Sequence, residues 1–254
     1  MARAAGAIRA KLGESLLVVG ICGAQGSGKS TLSEGLAALF RGEGVATAVL
    51  SIDDLYHTKA VREELGRTVH PLLATRGVPG THDVALGLKL LDELAQGRPA
   101  LLPRFDKGVD DRAPLDQWEH APADTRLLIL EGWCVGARPQ SAAALVNPVN
   151  ALERDEDPTG AWRRHVNDQL SGPYRALFDR LDALILLAAP GFEVVLRWRI
   201  EQEQALRARG QGMNDTQIAR FIQHYERLTR HILGDMPHDA DLTLPLNEDR
   251  SLRI

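Results

Sequence analysis

Residues 16–31 read Leu16-Leu17-Val18-Val19-Gly20-Ile21-Cys22-Gly23-Ala24-Gln25-Gly26-Ser27-Gly28-Lys29-Ser30-Thr31. The first seven are almost continuously apolar, without the alternation of a half-solvated strand. That pattern belongs to a strand inside a parallel sheet whose two faces are both covered by helices. From Gly23 the chain follows the spacing glycine, four residues, Gly-Lys-Ser, which marks a loop that cradles phosphate. Glycines let the backbone turn through unusual dihedrals and bring its N–H groups against phosphate oxygens. A helix beginning at Lys29 offers the same anion its partly positive end. Gly23, Ala24, Gln25, Gly26, Ser27, Gly28, Lys29, Ser30 and Thr31 are therefore the candidate phosphate-binding residues. Lys29 is expected to reach the β- and γ-phosphates and Ser30 to ligate Mg²⁺.

The surrounding sequence supplies the context that this loop requires. Lys29 to Arg41 carries Leu32, Leu36, Leu39 and Phe40 at helical spacing, and Gly42 and Gly44 end it. Val45 to Ile52 reads as a second strand, so a right-handed βαβ crossover is expected. Further on, residues 83–95 read as a helix, 127–130 and 181–188 as buried strands, and 191–209 and 215–233 as helices. Residues 242–246 read as an edge strand, since Pro245 cannot serve a central one. Residues 53–82 read as mixed, and 96–124 as loop. The fold expected is a P-loop NTPase, a three-layer α/β/α arrangement with a mainly parallel central sheet and a helical lid. One domain is expected over 1–254, with the lid at about 197–215 and an acceptor-binding segment at about 53–112.

Composition narrows the function classes. The formal net charge is −4, so no global basic field exists to hold a nucleic acid or an anionic membrane. No apolar run approaches the roughly 18–20 residues that span a bilayer. Residues 1–12 read as a short amphipathic helix without a secretory cleavage pattern. Cys22 and Cys134, both in or beside apolar runs, read as reduced thiols of a cytoplasmic protein.

Acidic residues stand where strands end, the edge at which open α/β sheets bind ligands. Asp53 and Asp54 follow the second strand, and Glu131 ends the third. Asp53 is the candidate base for an acceptor hydroxyl. Glu131 is placed as the acid that supports Mg²⁺, with Asp54 as an alternative or as a cap of the next helix. Tyr56, Arg76, His82, Arg104 and Lys107 lie in the segments between the second and third strands and are the candidate acceptor contacts. An arginine fork suits a carboxylate. Arg199, Glu203 and Arg207 share one face of the charged helix, and Arg207 and Arg209 lead into glycines, as a mobile cationic lid does.

In this order these features resemble the uridine kinase, phosphoribulokinase and pantothenate kinase group of P-loop kinases. Within it the chain looks most like the D-glycerate 3-kinase family. The matching stretches are GAQGSGKST at 23–31, SIDDLY at 51–56, HPLL at 70–73, RGVPGTHD at 76–83, PRFDK at 103–107, LEGW at 130–133 and RWRIEQEQALRARGQGMND at 197–215. The loop at 23–31 is shared by countless NTPases, whereas RGVPGTHD, PRFDK and GQGM are much more specific. The sequence departs at Leu55, where the pattern usually has Phe, and matches weakly over 134–165. The resemblance implies ATP and Mg²⁺, a small hydroxy-acid acceptor, D-glycerate phosphorylated at its 3-hydroxyl, and Asp53 as base. Another acceptor (a nucleoside, pantothenate or a sugar acid) and a non-kinase ATP-dependent switch are the rival readings.

Overall fold

The computed structural model describes residues 1–207 and 213–253, and for 205–207 the backbone alone. Five strands form one all-parallel sheet: β1 (Leu17–Gly23), β2 (Thr47–Ser51), then β7 (Leu127–Gly132), β8 (Ala183–Ala188) and β9 (Leu242–Pro245). Their spatial order is β2-β7-β1-β8-β9. From β1 the chain crosses to one side for β2 and β7, then to the other for β8 and β9. The carboxyl end of β1 therefore lies at the topological switch point. The register sets Glu131 of β7 between Ile21 of β1 and Ser51 of β2. Pro245 closes β9 on the sheet edge, where a missing N–H costs no ladder bond.

Two apolar clusters sandwich the sheet. Leu17, Val19 and Ile21 of β1 pack with Leu127 and Ile129 of β7 against Leu36, Ala37 and Phe40. Those three belong to α2 (Lys29–Gly42), and α1 (Ala2–Lys11) adds Ala4, Ala5 and Ile8. Val18, Cys22, Leu128 and Leu130 face the opposite layer. That layer contains α4 (Val84–Ala95), α6 (Ala161–Ser171), α7 (Pro173–Phe178) and α9 (Asp215–Asp235). The continuous apolar runs are thus explained: β1, β7 and β8 each feed both cores.

The structure adds elements that the sequence reading did not resolve. Helix α3 (Lys59–Thr68) lies in the stretch read as mixed. The stretch read as loop contains β3 (Ala100–Leu102) paired with β6 (Glu119–Ala121), and β4 (Phe105–Asp106) paired with β5 (Asp111–Arg112). A one-and-a-half-turn helix, α5 (Ala151–Glu156), precedes α6. Helix α8 (Glu193–Arg207) is the charged helix. Among the described residues no helix is long and apolar enough to cross a membrane. Both cysteines are free and buried, and burial pushes the Cys22 thiol up to about 12.

Candidate active site

The loop between β1 and α2 is shaped by its glycines. Gly26 and Gly28 have φ of 78° and 88°, where a side chain would be strained. A Cβ on Gly26 would also stand 2.6 Å from Cβ of Trp198. The Ser27 N–H donates to Ala24 O across the turn (3.1 Å), and Gly28 caps α2. The Lys29 ammonium has no hydrogen-bond or ion-pair partner among the described residues, and Ser30 and Thr31 are exposed on the first turn of α2. Exposed hydroxyls and a free lysine at a helix N-terminus suit an anion.

Glu131 completes this side. Odd-numbered residues of β7 face α2, so Glu131 points at the helix start. Ser30 Oγ donates to Glu131 Oε1 (3.2 Å), while Oε2 is buried without a partner. A buried orphaned carboxylate oxygen beside a hydroxyl is a donor pair that a hard divalent cation fits. Both residues line a cleft of about 390 Å³ with Asp54, Arg104 and Glu119. A larger cleft, of about 520 Å³, opens at the start of β8 and holds none of the loop residues. It lies at the strand ends opposite to those at which α/β sheets bind ligands.

At the end of β2 a 3-10 turn, Ile52–Leu55, carries both aspartates. Gly132 lets this turn approach: a Cβ there would meet Ile52 Cγ2 at 2.3 Å. Asp53 Oδ2 takes an ion pair from Lys107 Nζ (2.6 Å), and Oδ1 accepts the Tyr56 hydroxyl (3.0 Å). Burial pushes the Asp53 carboxyl up, but Lys107 and Lys29 outweigh it and hold it well below the usual carboxylate range. Asp54 does other work. Its Oδ1 accepts the Phe105 N–H (3.0 Å) and its Oδ2 faces Arg104 Nη1 (3.2 Å), so it pins the β4–β5 hairpin to the strand end. Burial raises its carboxyl, partly offset by those two donors.

The predicted acceptor residues come together only in part. Tyr56 and His82 are buried and stacked, with ring centroids 4.4 Å apart. His82 Nδ1 shares a 2.5 Å hydrogen bond with the Tyr174 hydroxyl, and its Nε2 is buried without a partner. Burial pushes the His82 ring down to about 3, so it is neutral. Arg76 pairs with Asp110 and lies over the Phe105 ring. Arg104 sits between Asp54 and Glu119, on the side of the 390 Å³ cleft. Arg209 lies outside the described residues, and of Arg207 only the backbone is described.

Several residues that the sequence did not single out join the site. Tyr225 of α9 is buried and donates its hydroxyl to Arg76 O (3.4 Å). Arg112 pairs with Asp83 (3.2 Å), the N-cap of α4, and donates to Tyr56 O (3.0 Å). Arg199 and Glu203, which the sequence places on one face of the charged helix, pair at 2.7 Å, with Glu203 buried. No motif marks Tyr225 or Arg112: helix α9 brings in the first and strand β5 of the β4–β5 hairpin the second.

A phosphate loop on a parallel sheet, an acid beneath it and a second acid at the neighbouring strand end together define a P-loop kinase. The chain belongs to the phosphoribulokinase / uridine kinase family, whose profile matches residues 18–146. It is 35% identical to the uncharacterized kinase mug58 of Schizosaccharomyces pombe, over 89% of this chain and 84% of that one. It is 32% identical to the chloroplastic D-glycerate 3-kinase of Arabidopsis thaliana, over 92% of this chain and 53% of that longer one. A solved structure, the D-glycerate 3-kinase of Cryptococcus neoformans var. grubii, superposes with a TM-score of 0.83 at 26% identity. That match covers 99% of this chain and 96% of the other.

Proposed function

We propose that this kinase transfers the terminal phosphoryl group of ATP to the 3-hydroxyl of D-glycerate, with Mg²⁺ as cofactor. The observation that carries the reading is the Asp53 carboxylate, held ionised at the end of β2 beside the phosphate loop. The names of the two D-glycerate 3-kinases above supply the acceptor.

In this reading the backbone of 23–31 and the Lys29 ammonium hold the β- and γ-phosphates. Ser30 and Glu131 hold Mg²⁺, which supplies positive charge to the phosphate oxygens. The acceptor lies over the ends of β2 and β7, with its carboxylate on the Arg76 guanidinium and the orphaned His82 Nε2 within its polar surroundings. Asp53 orients the hydroxyl and takes its proton as the oxygen bonds to phosphorus. A weak base suffices, because in a loose transition state that proton becomes acidic only late. Lys107 moves from Asp53 toward the transferring group, and Arg207 and Arg209 spread its charge further.

The test is incubation of the purified protein with ATP, Mg²⁺ and D-glycerate, with ADP release and phosphorus NMR of the product. Acceptor-dependent ADP and a 3-phosphoglycerate signal are expected. ADP release that ignores the acceptor would instead indicate the switch. Turnover confined to another small alcohol would move the acceptor and keep the kinase.

A further inference from the structure

The turn after β9 brings to the phosphate loop a side chain that no motif marks. The Leu246 N–H donates to Ala188 O (2.8 Å), and the Asn247 N–H donates to Ser251 O (2.8 Å), which closes a tight turn. Within that turn Arg250 has φ of 69°, in the left-handed region that disfavours a side chain. The turn itself sets this conformation, since the Arg250 N–H donates to Asn247 O (3.0 Å) and a short hairpin loop of this kind ends in a left-handed residue; the side chain it presents reaches the phosphate loop and helix α8. Arg250 Nε donates to the carbonyl of Gly26 (2.7 Å). Its Nη2 meets Glu201 of α8 (2.5 Å), and the guanidinium lies 5.2 Å above the Trp198 ring. Trp198 donates its indole N–H to Glu248 O in the same turn (2.7 Å), and its Cβ occupies the space that only a glycine at 26 leaves open.

A phosphate loop binds through backbone N–H groups, so its carbonyls must face away from the anion. The Gly26–Ser27 peptide is held in that sense from both ends. Arg250 takes its carbonyl, and its N–H donates to Ala24 O (3.1 Å). We propose that Arg250 is a positioning residue for the nucleotide: it pre-orders the phosphate loop and locks that loop to α8. Ordering done before binding is not charged against affinity. Loss of the side chain should therefore weaken nucleotide binding and leave the acceptor alone. The proposal rests on the phosphate loop binding MgATP and not on which acceptor is used.

The decisive variant is Arg250→Gly, because glycine accepts the left-handed backbone and keeps the turn. Wild type and variant are titrated with MgATP by calorimetry, alongside steady-state kinetics and thermal melting. The expected result is a rise of about tenfold in Kd and KM for ATP, from loss of a charge-assisted hydrogen bond. Acceptor KM and kcat should change less than about twofold, and the melting temperature should not fall. Glu201→Gln, which weakens one arm of the anchor, should shift ATP affinity in the same direction by a smaller factor. An unchanged ATP affinity in Arg250→Gly would overturn the proposal. So would a lower kcat with a raised KM for both ATP and acceptor and a lower melting temperature, the signature of a merely structural residue. A wild-type protein that binds no MgATP would remove both this proposal and the nucleotide reading. Normal wild-type binding with an unaffected variant removes the proposal alone.

Discussion

Ser30 and Glu131 are 101 positions apart in the chain and 3.2 Å apart in space. With one carboxylate oxygen on the hydroxyl and the other buried and unpartnered, Glu131 offers an oxygen ligand at the proposed Mg²⁺ position. Glu131→Gln keeps the shape and replaces one of the two carboxylate oxygens by an amide NH₂. The Mg²⁺ concentration for half-maximal rate should rise on the order of 10–100-fold, read from initial rates across a magnesium series; an unchanged requirement would remove Glu131 from the metal site. Asp53 makes a different demand. Asp53→Asn cannot accept the proton and leaves Lys107 without its anion. We expect kcat to fall about 10²–10⁴-fold, while direct titration finds ATP affinity nearly unchanged. Undiminished turnover would end its role as base.

Elements show which parts of the fold the sequence made legible. Strands β1, β2, β7 and β8 and helices α2, α4 and α9 were readable because their buried residues are apolar and periodic. In α9, Ile218, Ile222, Tyr225 and Ile232 mark the inner face. Helix α3 was not readable, because its one buried residue is Arg62. That guanidinium is satisfied by His57 O, Ala74 O and Asp110 O, none of them close in sequence to one another. The β4–β5 hairpin is two residues per strand and is held by Asp54 rather than by its own pattern. Buried charge also shapes α9, whose Arg227 meets both oxygens of the buried Glu153 at 2.7 Å and donates to Ala144 O and Asn147 O. Removing one partner of such a pair leaves an uncompensated charge. Arg227→Ala should cost about 3–5 kcal/mol in urea unfolding, and a loss under about 1 kcal/mol would show that water compensates Glu153.

At the scale of the molecule, buried histidines tie stability to pH. Burial lowers His82 to about 3 and His224 to about 4, against an ordinary 6.5 in the unfolded chain. Between those values the unfolded state binds protons that the folded state refuses, so stability is complete above about pH 6.5 and is lost as pH falls toward 4. By pH 5 each ring should have cost about 2 kcal/mol. Urea midpoints at pH 7 and pH 5 measure it, and equal stabilities would show that both rings are charged or solvated. The pairing of charge on the acceptor side has a consequence of its own. Lys107 is matched to Asp53, Arg76 to Asp110, Arg104 to Asp54 and Glu119, and Arg112 to Asp83. If the acceptor binds on this face as proposed, the face would behave as a loaded ion exchanger, in which an arriving anion is admitted by displacing a resident carboxylate. The displaced carboxylate, tethered nearby, would drive the product out by the reverse swap, which would favour rapid turnover over tight retention.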